Sequence, residues 1–193
     1  MKLSRNQILD RTAHLAQKKG WRGITVRDIS KAIGYSTIKI YSDFGGKEAL
    51  LIAVQHRGFE LLEKALTRAM NSHEDPKEQL LAASIAHVQF SFAHSAYYDL
   101  MFSRVGQDCE DSPSLMRLRI KQKIKVILNG ALGTSDLPTT AHHLALVHGY
   151  ALLFRDNPIL QHLPLEATMK QYIEQFISGV RQHHHSYHQS QEQ

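Results

Sequence analysis

Apolar side chains recur every three or four positions along most of the 193-residue chain, and no stretch shows the two-residue alternation of a half-buried strand. The first stripe is Ile8, Leu9, Thr12, Ala13 and Ala16. Ser4 and Gln7 open it as a reciprocal capping pair, and Gly20 closes it after Lys19. A second, shorter stripe is Val26, Ile29, Ala32 and Ile33. It begins at Thr25, an N-cap with Asp28 as acidic partner, and stops at Gly34, where a left-handed residue costs little. Ser36 caps a third helix, Thr37 to about Phe44, with Ile40 and Phe44 inward and Thr37, Lys39 and Ser42 outward. Trp21 and Ile24 are expected to plug the core of this small bundle. Two short helices joined by a glycine turn form a helix-turn-helix, whose second helix enters the DNA major groove.

Longer helices follow. One runs from Lys47 to about Met70, with Leu51, Val54, Gly58, Leu61, Leu62, Ala65 and Ala69 on its apolar face. Asp75-Pro76 restarts the chain as an N-cap followed by proline in the first turn, and the fifth helix reaches about Ser95. A short helix around Tyr97–Phe102, a loop from Val105 to Asp111 and a helix from Ser112-Pro113 to about Leu132 come next. The last two run from Thr139 to about Phe154 and from Pro164 to about Arg181. The chain is therefore expected to be all-α. A helix-turn-helix domain should span residues 1–46, a larger helical domain 47–182, and a disordered His/Gln-rich tail 183–193.

Charge sharpens this division. Residues 1–58 hold 11 of the 23 basic and 4 of the 18 acidic side chains, a net of +7, which leaves −2 for the remainder. The positive excess thus coincides with the helix-turn-helix pattern, as phosphate neutralisation requires. No run approaches the ~20 apolar residues of a membrane span, and no signal-peptide pattern is present, so a cytoplasmic protein is expected. The single cysteine, Cys109, lies among acidic residues that disfavour its thiolate, and it agrees with a reducing compartment.

The segment Ser4–Val54 resembles the N-terminal domain of the TetR family of bacterial transcriptional repressors. Gly34, Ser36, Ile40, Tyr41, Phe44, Lys47, Glu48 and Leu51 carry the resemblance. Ile38 stands where the family commonly has a small residue or proline, and Asp43 where a phosphate-facing His or Tyr is usual. Farther on, Phe92-Ala93-His94 through Phe102 looks like a segment of one class of TetR ligand domains. His148-Gly149 resembles that class's closing motif, with Leu144 in place of its Trp.

The resemblance implies a ligand-responsive repressor that binds double-stranded operator DNA as a homodimer and releases it when a small-molecule effector is bound. Thr25, Tyr41 and Lys47 are then phosphate contacts. The residue chemistry agrees: a helix start, a rigid hydroxyl arm and a cation beside exposed amides. Base reading falls to Thr37 and Lys39, with Ser36 and Tyr35 beside them. Plainer readings make Tyr41 a core aromatic and Lys39 a solvated lysine. Phe90, His94, Tyr98, Met101, Phe102, Met116 and His148 are candidates to line the effector site, although the same residue types also fill cores. The last two helices are expected to pair across a homodimer through Ala145, Gly149, Leu152, Tyr172, Phe176 and Val180, as in a four-helix bundle.

Thirteen histidines raise the question of metal, yet His87/His94 and His142/His143 lack the i, i+4 spacing of a shared site. The tail histidines His183, His184, His185 and His188 could hold metal only loosely. No metal, cofactor or catalytic motif is expected, and the chain does not read as an enzyme. Two other functions fit the pattern: a helical interaction protein that has lost DNA binding, for which Asp43 speaks, and an enzyme using the helical cavity.

Overall fold

The computed structural model describes residues 3–103 and 114–189. Cys109, the Val105–Asp111 segment and residues 190–193 lie outside the described residues. Among those described, the elements in order are α1 (Arg5–Lys19), α2 (Val26–Ile33), α3 (Thr37–Phe44), α4 (Lys47–Met70) and α5 (Pro76–Ala93). They continue with α6 (Ser95–Met101), α7 (Ser114–Leu132), α8 (Leu137–Asp156), a single 3-10 turn (Leu160–His162) and α9 (Leu165–Gln189). Contacts divide them into two compact units, Met1–Leu62 with Ala93–Leu118, and Glu63–Phe92 with Arg119–Gln193.

In the first unit the helix starts are fixed by the side chains that the sequence places there. Ser4 and Gln7 form a complete capping box, as do Thr25 and Asp28, and Ser36 accepts the Lys39 N–H. Gly34 adopts the left-handed conformation (φ 74°, ψ 29°) that closes α2, a region other residues enter at a cost. The Ser30 hydroxyl donates to the Tyr35 carbonyl, and the Ser30 carbonyl accepts from the Gly34 and Tyr35 amides, so the turn is braced from both sides. Ile24, Ile29, Ile40, Leu50 and Val54 are wholly buried in this unit's core, and Ile33 nearly so.

Helix α6 is fastened to this bundle. Trp21 Nε1 donates to the Ala96 carbonyl at 2.7 Å, Gln55 Nε2 to the Leu100 carbonyl at 2.8 Å, and Tyr97 Oη to Asp10 Oδ1 at 2.6 Å. Trp21 is therefore not a plug of the three-helix core. It is half-buried, and its indole nitrogen reaches α6, which sequence spacing cannot reveal. A Cβ added to Gly58 would lie 2.7 Å from Met101 Sδ, so any larger residue there would force the Met101 side chain to shift.

The second unit buries Leu66, Leu80, Val88, Ile124, Leu128, Val147, Ala151, Met169 and Ile173, drawn from α4, α5, α7, α8 and α9. Asp136 Oδ1 accepts the Thr139 N–H at 2.7 Å, which starts α8 at Leu137 with Pro138 in its first turn rather than at Thr139. Helix α5 ends at Ala93, short of Ser95, and α9 continues to Gln189 rather than stopping near Arg181. The backbone of 183–189 is thus helical. A run of His, Ser and Tyr carries no apolar period from which a helix could be read.

Candidate nucleic-acid interface and the α8–α9 groove

Helix α3 is anchored by Ile40, which is fully buried, with Phe44 half-buried under Arg5, and it exposes Ile38, Tyr41, Ser42 and Asp43. Tyr41 is 56% exposed, so it is not a core aromatic. Its ring is held from behind: a Cβ on Gly46 (φ 130°) would lie 3.2 Å from Tyr41 Cε1, so only a glycine there leaves the ring in place. Lys47 follows at the first position of α4, half-exposed, with no carboxylate paired to it among the described residues. Its ammonium remains available to a phosphate beside the exposed amides at the start of α4.

Lys39 is not a simple solvated lysine. Its ammonium lies 2.8 Å from Asp43 Oδ2 and 5.4 Å from the Tyr35 ring centroid, so the carboxylate and the aromatic face share it. The hydrogen bond that the Lys39 ammonium donates to Asp43 raises the Lys39 pKa above its ordinary value. Asp43 accordingly meets any approaching phosphate as half of an ion pair, not as a bare negative charge. This arrangement was accessible in the sequence, since residues four apart on a helix are neighbours.

The remaining recognition candidates are already engaged. Tyr35 is half-buried, and its hydroxyl donates to the Leu3 carbonyl at 3.3 Å. The Ser36 hydroxyl is the α3 cap, and Thr37 is half-exposed beside it. Thr25 is exposed, and its amide and hydroxyl both donate to Asp28 Oδ2, at 2.9 and 2.8 Å. Asp28 in turn pairs with Lys19 at 2.6 Å. That ammonium, with the Thr25 hydroxyl and amide, holds its carboxyl well below the usual carboxylate range.

The expected effector residues divide between the units. His94, Tyr98, Met101, Phe102 and Met116 belong to the first, Phe90 and His148 to the second. Tyr98 and Met101 are almost completely buried and Phe90 nearly so, while Phe102 is 41% exposed and His94 is exposed. Tyr98 and Phe102 stack at a tilt, with centroids 4.7 Å apart. Burial lowers the pKa of the half-buried His148, so that ring favours the neutral form.

Within the second unit, a groove of about 860 Å³ runs between α8 and α9, lined by His142, Leu146, Tyr150, Tyr172, Phe176, Gly179 and Val180 among others. Aromatic contacts knit its floor: Tyr150 and Tyr172 lie 5.3 Å apart, and His142 and Phe176 5.8 Å. Tyr172 Oη lies 3.3 Å from His143 Nδ1, which suits a neutral ring accepting the phenol proton. Three of the expected pairing residues, Tyr172, Phe176 and Val180, therefore face one groove. Ala145, Gly149 and Leu152 occupy the adjacent stripe of α8, exposed or half-buried. Among the described residues, no group of three His, Cys, Asp or Glu side chains could hold a metal ion, and no helix is long and apolar enough to cross a membrane.

The family model described as bacterial regulatory proteins, tetR family, matches residues 8–54, the same helices that carry the exposed Tyr41 and Lys47. The helix-turn-helix segment of this chain is thus similar to that of the TetR family. The relatives that the chain resembles over most of its length are helix-turn-helix transcriptional regulators. One such relative is the HTH-type transcriptional regulator BetI of Brucella anthropi, 26% identical, with 77% of this chain and 91% of BetI covered. Another is the uncharacterized HTH-type transcriptional regulator YobS of Bacillus subtilis, 21% identical over 92% of this chain and 93% of YobS. Among solved structures, AibR in complex with isovaleryl coenzyme A and operator DNA superimposes with a TM-score of 0.71. It is 15% identical and covers 88% of this chain and 95% of its own, a likeness of fold.

Proposed function

We propose that this protein is a TetR-family, ligand-responsive repressor that binds a palindromic operator as a homodimer. Residues 1–46 would form the DNA-binding domain and 47–182 the effector and dimerisation domain. The observation that carries the reading is the split character of α3: Ile40 is wholly buried while Tyr41, its neighbour in sequence, stands 56% exposed, and half-exposed Lys47 opens the next helix. A fixed inner anchor with an outward row of donors is what a helix entering a groove needs. The neutralisation of Asp43 by Lys39 removes the feature that favoured an interaction protein without DNA binding.

One helix-turn-helix reads only a few base pairs, so two copies must act together. Two mid-helix glycines support α8 and α9 as the pairing face. Around a Cβ built on Gly149 or Gly179 nothing lies within 4 Å, so the chain's own packing requires neither glycine, although each weakens its helix. Close approach of a partner helix accounts for both. The effector is proposed to contact residues from the group Phe90, His94, Tyr98, Met101, Phe102, Met116 and His148. AibR, with its bound isovaleryl coenzyme A and operator, lends the fold-level precedent for a ligand and DNA on one protein.

Regulation follows as a population shift. DNA selects dimers with the matching separation of recognition helices, and an effector that favours another separation weakens DNA binding reciprocally. Helix α4, which begins at Lys47 and continues into the second unit, is the natural lever.

The test is the salt dependence of binding to the DNA upstream of the protein's own gene. Lys47→Ala should remove one phosphate contact per subunit. That lowers the slope of log K against log salt by about 2 for the dimer and weakens all sequences alike. An unchanged slope in fluorescence anisotropy would refute the phosphate role of Lys47.

A further inference from the structure

The first turn of α3 carries a side chain that the fold does not use. Ile38 is 80% exposed, more than any other large apolar residue described, although it lies two positions before the fully buried Ile40. Single exposed isoleucines are ordinary on protein surfaces; this one is distinguished by its place. An eight-residue helix is short enough for propensity to matter, and a β-branched residue at a solvent-facing position weakens it without any compensating burial. Its neighbours give it no polar purpose either. Lys39 is drawn to Asp43 at 2.8 Å and lies over Tyr35, so the charges beside Ile38 cancel each other.

The leading turn of the helix thus presents an apolar tip flanked by an internally neutralised pair. Such a surface has little to offer phosphate oxygens. N-terminal residues of a recognition helix meet base edges, and the one apolar group that the common bases display in the major groove is the C5-methyl of thymine. 5-Methylcytosine bears the same group at the same ring position.

We propose that Ile38 packs against a pyrimidine C5-methyl group in the major groove and so fixes one position of the operator half-site. The inference rests on the DNA-binding reading and adds the chemistry of one recognised base. Ile38 is then a specificity residue, while Tyr41 and Lys47 supply sequence-independent affinity.

The test uses the full-length protein and an operator selected from a randomised duplex pool. Each thymine in a half-site is replaced in turn by deoxyuridine, which lacks only the methyl. In a second arm, each cytosine is replaced by 5-methylcytosine. Burying one methyl predicts that the wild type loses about fourfold in affinity per half-site at one deoxyuridine position. Ile38→Ala should bind both versions equally there. If 5-methylcytosine is the ligand, the second arm instead shows a gain of that size that depends on Ile38. Since Ile38 is exposed and alanine is the better helix former, the alanine variant should keep or slightly exceed the wild-type melting temperature, so a lost preference reflects contact and not misfolding. No Ile38-dependent position in either arm overturns the proposal. A pool that yields no enriched sequence overturns the DNA-binding reading itself.

Discussion

Gly179→Arg should give a folded monomer of about the chain mass, 21.9 kDa, that no longer binds operator DNA tightly. The substitution is open on the monomer, because nothing lies within 4 Å of a Cβ built there. Replacing a mid-helix glycine also favours α9, by about 1 kcal/mol, so helicity and thermal stability should not fall. The damage would come only from the partner. A long cation placed in the groove beside Phe176 and Val180 would have to be buried without a counter-ion when a second α8–α9 pair closed over it. With the dimer lost, the two recognition helices bind separately, and operator affinity should fall by about 10²- to 10⁴-fold through loss of effective concentration. Light scattering and anisotropy on one sample read both effects. A dimer of unchanged stability would place the subunit interface on another surface.

Acidification should destabilise the second unit well before its carboxylates protonate. His87 is buried, and burial, together with His148 and His143, pushes its pKa down to about 3. Burial and the neighbouring His142 push His143 down to about 4, where its neutral ring can accept from Tyr172. In the unfolded chain both should titrate near 6.5, so between that value and 4 the unfolded state binds more protons than the native state. The sign follows: stability is full above about pH 7, falls as pH drops through 6.5, and stops falling below the folded pKa of each ring. At pH 5 the two rings together should remove about 4 kcal/mol, a large part of a typical domain's stability. The ion-paired Asp28 acts in the same direction, but only at lower pH, where carboxylates titrate. Urea unfolding at pH 7.5 and 5.0 measures the difference, and His143→Gln should roughly halve it. Equal unfolding free energies at the two pH values would mean that the histidines are not held neutral.

The elements that could be read from the sequence share a cause: they depend on residues close together in the chain. The capping boxes at Ser4 and Thr25, the left-handed Gly34 and the Ser36 cap each involve partners within four positions, so the ends of α1, α2 and α3 follow from local chemistry. The Lys39–Asp43 pair obeys the same four-residue rule and was equally legible, although only the structure shows that it neutralises the carboxylate. Contacts that bridge distant segments left no such mark. Nothing near Trp21 announces that its indole nitrogen reaches Ala96, and nothing near Gly58 that Met101 lies against it. The α8–α9 groove shows the same limit: the stripe Tyr172, Phe176 and Val180 is periodic, but which stripe of α8 stands opposite depends on helix rotation, which apolar periodicity fixes only to within one row of side chains. For Tyr98 and Met101, residue type does not distinguish the wall of an effector site from a filled core.

The central claim is that the outer face of α3 lies in the major groove of duplex DNA. Dimethyl sulfate interference tests it most directly, because the reagent methylates guanine N7 in the major groove and adenine N3 in the minor groove. The expected result is two clusters of guanine N7 positions whose methylation blocks binding, with centres one helical turn, about 10 base pairs, or a multiple of it apart. Interference confined to adenine N3, or found at no base, would contradict it.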